Sequence, residues 1–128
     1  MVALSVLAEE FGICRLSSAE ETPDWLRGYP LYFVARTSDE LSVLCPVSVI
    51  PDSVLADRQW RCLKVDGPID FDEVGILASL AKPLAEVGIA VLAVSTYDTD
   101  YLFVKRHELS KAIEVLNKAG HRIEQEEI

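Results

Sequence analysis

The clearest pattern of apolar and polar positions lies in the second half of the chain. Trp60-Arg-Cys-Leu-Lys-Val-Asp66 alternates the two classes, as a half-buried strand does, and Gly67-Pro68 breaks it. Apolar residues then recur at helical spacing at Val74, Leu77, Ala81 and Leu84, with Ile76 and Leu80 widening the stripe. A helix is therefore expected, capped by Asp70 or Asp72 and closed by Gly88. Pro83 falls inside it and removes one backbone hydrogen bond, which predicts a kink rather than an end. Ile89 to Ser95 is a nearly continuous apolar strand, Tyr97-Asp98 turns the chain, and Tyr101 to Lys105 returns antiparallel. A second helix is expected from His107, with Leu109, Ala112, Ile113, Leu116 and Ala119 on one face and Gly120 at its end. His121 to Glu124 reads as a last strand.

The order strand, helix, strand, strand, helix, strand predicts an α+β domain of the ferredoxin-like βαββαβ type, one antiparallel sheet with two helices on one face. The first half is a thinner version of that plan. Leu4–Leu7 and Phe11–Leu16 read as two short strands, and Pro23 to Leu26 as one helical turn before Gly28. Leu31–Arg36 and Leu41–Val47 form a hairpin about Ser38 and Asp39. Pro46 argues against a central place for the second of these strands, and Pro51 to Asp57 is expected to hold a short helix. Thr37-Ser-Asp-Glu-Leu-Ser-Val-Leu44 aligns with Thr96-Tyr-Asp-Thr-Asp-Tyr-Leu-Phe103 at an offset of 59, a faint internal repeat. The expected division is thus a degenerate first unit over 1–58 and a fuller one over 59–128, a tandem repeat.

Composition narrows the function classes. Half of the 128 residues are apolar and 26% are charged, which excludes intrinsic disorder. Twelve basic against twenty-one acidic residues give a net charge of -9, spread evenly as -5 over 1–58 and -4 over 59–128. The last five residues, Glu124 to Ile128, form a small acidic end. Such a field repels nucleic acid and anionic membrane, so neither is an expected partner. No apolar run approaches the roughly 20 residues of a membrane span, and Val2–Ala8 lacks the basic flank of a signal peptide. Cys14, Cys45 and Cys62 are 31 and 17 residues apart, with His107 and His121 remote from them. That spacing supports neither zinc ligation nor a disulfide framework, and it reads as buried free thiols in a cytoplasmic protein.

The stretch Val74 to Val104 carries a resemblance. Its Pro83-Leu-Ala85 near a helix end, followed by Ser95-Thr-Tyr-Asp-Thr-Asp-Tyr-Leu-Phe-Val104, resembles the ACT domains of small-molecule sensors, and within them the CASTOR type. The similar portion covers about residues 60–124, and Asp39 to Cys45 resembles the hairpin of the degenerate first unit in the same family. The resemblance implies a ligand-binding regulatory module rather than an enzyme, taking a small molecule, an amino acid, at an interface between units. It also implies a homodimer, with a downstream protein partner that the sequence does not name. No cofactor is expected.

The residues agree with that picture. Backbone N–H groups of the Gly67-to-Glu73 turn (Ile69, Asp70 and Phe71 among them) could receive a ligand carboxylate at a helix start. Asp100, carried over with the motif, could take an ammonium or a cationic side chain, with the Thr99 hydroxyl and main-chain groups at Ser42 and Val43 as further partners. Asp70, Asp72 and Glu73 crowd the same turn with negative charge, which favours a basic ligand end over an acidic one. Each has a plainer reading: helix caps for Asp70 to Glu73, local turn bonds for Asp98 and Asp100. An Asp98/Asp100 metal pair lacks a third ligand, and no serine or histidine stands in a catalytic arrangement. The alternative to a sensor is an ACT-like protein that has lost its ligand and serves only to dimerise.

Overall fold

Ala3 opens a strand that runs without a break to Leu16 (β1, Ala3–Leu16) in the computed structural model, which describes residues 1–125. Two short strands were expected here, because Glu9 and Glu10 interrupt the apolar run. Their side chains are only partly covered, so the charges cost little and the ladder continues through them. The remaining strands are β2 (Phe33–Arg36), β3 (Leu41–Pro46), β4 (Ala56–Val65), β5 (Val91–Ser95), β6 (Asp100–Lys105) and β7 (Arg122–Gln125). The helices are α1 (Ile76–Glu86) and α2 (Leu109–Lys118). The outer part of the acidic end, 126–128, lies outside the described residues.

The chain forms two compact units, Glu9–Trp60 and, around it in sequence, Met1–Ala8 with the chain from Arg61 onward. In the latter unit β4, α1, β5, β6, α2 and β7 follow in the expected βαββαβ order, and the fold is ferredoxin-like. The sheet order is β7-β1-β4-β6-β5. The beginning of β1 is thus inserted beside β7, parallel to it, with Ala3 opposite Arg122 and Val6 opposite Gln125. One core binds the sheet to both helices: Leu4, Val6, Leu63, Val65, Leu102 and Val104 from strands, Leu80 and Leu84 from α1, Ala112 and Leu116 from α2. Their spacings of two in strands and four in helices put each set on one face.

The helix ends differ in how well the apolar stripe marked them. Gly88 and Gly120 follow the C-termini as expected, with Ile89 N–H returning to Leu84 O and His121 N–H to Leu116 O. The start of α1 falls later than expected, at Ile76. Asp70 does not cap it; its Oδ1 accepts from Asp72 N–H at 3.0 Å in a local turn. Val74 is 92% exposed and Leu77 also faces outward, so the buried stripe is Leu80 and Leu84 alone. The helix runs through Pro83.

In the Glu9–Trp60 unit the strand order is β2-β3-β1-β4. The β2–β3 hairpin forms as expected, Phe33 opposite Leu44 and Arg36 opposite Leu41, and Asp24–Leu26 makes one 3-10 turn. Pro46 does not push β3 to an edge. It is the last residue of β3, opposite Phe11 on β1 and past the end of β2, so its missing N–H interrupts no ladder bond. Pro51–Asp57 is not a helix; a 3-10 turn lies earlier, at Val47–Val49, and β4 has already begun at Ala56. Cys14, Val43, Cys45, Leu26 and Ile50 form this unit's core. Cys14, Cys45 and Cys62 are buried free thiols, and a hydrogen bond with Cys14, aided by burial, pushes the Cys45 thiol well above its ordinary range.

Candidate functional site

The hairpin between β5 and β6 is built on threonines. Thr96 N–H bonds Thr99 O at 2.8 Å, and the Thr96 hydroxyl reaches the same oxygen at 3.1 Å. Thr99 is buried at 5% exposure and donates its own hydroxyl to Val65 O, the last residue of β4, at 2.6 Å. The 66–75 loop then crosses this hairpin closely. A Cβ on Gly67 would stand 3.0 Å from Asp98 O and 3.1 Å from Thr99 Cβ, so only glycine passes there without displacement. Two residues on, Ile69 N–H bonds Asp98 O at 2.6 Å and pins the loop to the hairpin.

Between loop, hairpin and the first turn of α1 lies a cavity of about 340 Å3. It brings together Ile69, Asp70, Phe71, Thr99 and Asp100 from the expected set. Ser42 and Val43 do not line it. They belong to β3 in the other unit, where main-chain ladders to β1 and β2 run on both sides, Val43 is fully buried and the Ser42 hydroxyl donates to Glu40 Oε1 at 2.7 Å.

The donors available to an anion are in part those expected. In the Gly67-to-Glu73 turn, the Ile69 amide is bonded to Asp98, and those of Asp72 and Glu73 to Asp70. The Asp70 and Phe71 amides make no such bond, and more open amides lie further on. Gly75 takes φ 84° and turns the chain into α1, and the first intrahelical bond is Ser79 N–H to Gly75 O. The amides of Ile76, Leu77 and Ala78 therefore precede the helical ladder, and all three residues line the cavity. A left-handed position before the helix was the signal in the sequence: Val74-Gly75 interrupts the stripe where the ladder starts.

Charge in the lining has one sign. Asp70, Glu73 and Asp100 contribute carboxylates, and no Lys, Arg or His is present. Asp100 is half-buried and accepts one bond, from the Ser95 hydroxyl at 2.6 Å. Among the described residues no cation pairs with it. At the rim Phe71 and Tyr97 meet edge to face, ring centroids 4.8 Å apart, although each is more than 70% exposed. Two exposed aromatic rings held together beside a polar cavity form a ready apolar wall for part of a ligand. Among the described residues no group of three or more His, Cys, Asp or Glu is placed to hold a metal ion, and no helix is long and apolar enough to cross a membrane.

A crystal structure of an Agobacterium tumefaciens protein is 40% identical, covers 99% of this chain and 95% of its own, and superposes with a TM-score of 0.93. The aspartate kinase of Clostridium acetobutylicum shares the fold at 14% identity and a TM-score of 0.63, over 87% of this chain and 33% of the kinase. The cytosolic arginine sensor for mTORC1 subunit 1 of Rattus norvegicus is 38% identical over 60 residues, and the human protein is equally so. That match takes 46% of this chain and only 18% of the sensor, so the chain spans a minor part of the curated relatives it matches. A model for the N-terminal domain of a protein family matches residues 9–53. The ACT domain model matches residues 55–118, half of the chain, and the chain belongs to the ACT domain family.

Proposed function

We propose that this protein is a regulatory module that binds a free amino acid with a basic side chain, arginine foremost, in the cavity beside Asp100. The observation that carries the reading is the pairing of open helix-start amides with three carboxylates and no cation in one lining. The ligand carboxylate is received by the amides of Ile76 to Ala78, where the helix dipole also favours negative charge. Asp100 takes the α-ammonium, and Asp70 and Glu73 face the basic end. Phe71 and Tyr97 cover the aliphatic stem. The name of the arginine sensor that matches 60 residues of this chain supports the choice of ligand.

Binding acts as a signal only if the ligand prefers one of two states. The 69–75 loop, pinned to the hairpin by Ile69 and Asp98, is the element whose position the ligand biases. A cytoplasmic homodimer of two ACT-like units per chain, without enzymatic activity of its own, is the form in which the reading is complete. The tandem arrangement is supported by the two hairpins aligned at offset 59: Thr37 N–H bonds Glu40 O at 2.9 Å, and Thr96 N–H bonds Thr99 O at 2.8 Å.

A thermal-shift screen against the twenty amino acids tests the reading. A ligand at about 100 times its Kd stabilises the fold by about 2.7 kcal/mol, a shift of several degrees. L-arginine is expected to give the largest shift. A flat response to all twenty at millimolar concentration contradicts the reading and leaves a ligand-free dimerisation module.

A further inference from the structure

The Glu9–Trp60 unit carries a cavity of its own, of about 390 Å3, on the sheet where β1, β3 and β4 run side by side. Arg15 and Ser42 are cross-strand partners in the β1–β3 ladder, and both line it. Glu40, just before β3, adds a carboxylate, while Ile13, Leu55 and Ala56 supply an apolar wall. The charges in this lining are arranged unusually. The Arg15 guanidinium donates one bond, to Asp39 O at 3.3 Å, and pairs with no carboxylate among the described residues. The Glu40 carboxylate accepts from the Ser42 hydroxyl and likewise pairs with no cation.

A guanidinium and a carboxylate that line one cavity without closing on each other leave a gap with opposite charges at its ends. Surface ion pairs are worth little, so nothing forces the two apart or together. A dipolar molecule spanning the gap gains two charge-assisted hydrogen bonds at once. We propose that this cavity is a second binding site, for a zwitterionic amino acid with an apolar side chain. Its α-carboxylate meets Arg15, its α-ammonium meets Glu40, and its side chain rests on Ile13, Leu55 and Ala56. The proposal is independent of the ligand assigned to the Asp100 cavity, since every residue it uses lies in Glu9–Trp60.

The test is a backbone amide NMR titration of the full chain with L-leucine at millimolar concentration. Saturable shifts are expected at Cys14, Arg15, Ser42 and Ala56. L-leucinamide, which lacks the carboxylate, and 4-methylpentanoate, which lacks the ammonium, are expected to leave those amides unmoved. Arg15→Gln and Glu40→Gln should each weaken L-leucine by about tenfold or more, with spectra that remain dispersed because both side chains reach solvent. Asp100→Ala should leave the response intact, which separates this site from the other. Absence of shifts at those four amides overturns the proposal. So does an equal response to either analogue, or affinity unchanged in both charge variants.

Discussion

His121 supplies Ser79 with the hydrogen bond that Pro83 withholds. In an unbroken helix the N–H of residue 83 would reach the carbonyl of residue 79, and proline has none. The His121 ring is 4% exposed, and its Nε2 stands 3.2 Å from Ser79 O, while its Nδ1 accepts from Val2 N–H at 3.3 Å. Because Val2 can only donate, Nδ1 is the bare nitrogen and Nε2 carries the proton. One imidazole thus ties α1, the start of β1 and the end of α2 together. It also holds in place the helix whose first turn lines the Asp100 cavity. His121→Ala leaves a partly buried acceptor and a partly buried donor without their ring partner and empties a buried site, and it is expected to cost about 1–2 kcal/mol by urea denaturation. Pro83→Ala restores the missing N–H, so it should stabilise the His121→Ala protein more than it stabilises the parent. Additive free energies in that double-mutant cycle would contradict the assignment.

Thr99 is buried for a structural reason, whatever else touches it. Its hydroxyl bonds Val65 O and so joins the hairpin to β4. Thr99→Val keeps the shape and leaves that carbonyl orphaned. It should lose about 1–3 kcal/mol, whereas Thr99→Ser should lose distinctly less. Equal losses, measured by urea denaturation, would show that the methyl group and not the hydroxyl matters.

Gly75 and Gly28 offer a matched pair. Both have positive φ, 84° and 85°, and a Cβ on either would meet no atom within 4 Å. Alanine at each should therefore cost only the backbone strain, about 1–2 kcal/mol. Gly75→Ala should in addition weaken L-arginine, because it re-aims the amides of Ile76 to Ala78. Gly28→Ala should leave the affinity alone. The check is calorimetric titration of both variants beside a stability measurement.

The second half of the fold was legible because its signals are redundant. The stripe at Leu80, Leu84, Ala112 and Leu116, the glycines after each helix and the apolar run of β5 all agree, and tertiary packing follows them. The hairpin from Thr96 to Asp100 was legible for the same reason, and so was the joining of its neighbours to Ile69, Asp70 and Phe71. What stayed hidden depends on choices between equal local options. Asp70 can cap a helix or close its own turn, and it takes the turn. Pro46 can end a ladder or break one, and the length of β2 decides. The register of β1 beside β7 pairs residues more than a hundred positions apart, which no local pattern encodes. Main-chain groups of Ser42 and Val43 were expected at the ligand, but β3 is paired with β1 on one side and β2 on the other, a placement that no local pattern encodes.

Asp100 carries the central claim, and its surroundings make it a clean probe. Its single bond is to an exposed serine hydroxyl, so Asp100→Ala should change the stability of the free protein by less than about 1 kcal/mol. The direct measurement is calorimetric titration of L-arginine into the parent and the Asp100→Ala protein under identical conditions. The account predicts saturable binding to the parent and a loss of at least about tenfold in the variant. No binding of L-arginine to the parent, or the same affinity in both proteins, would contradict it.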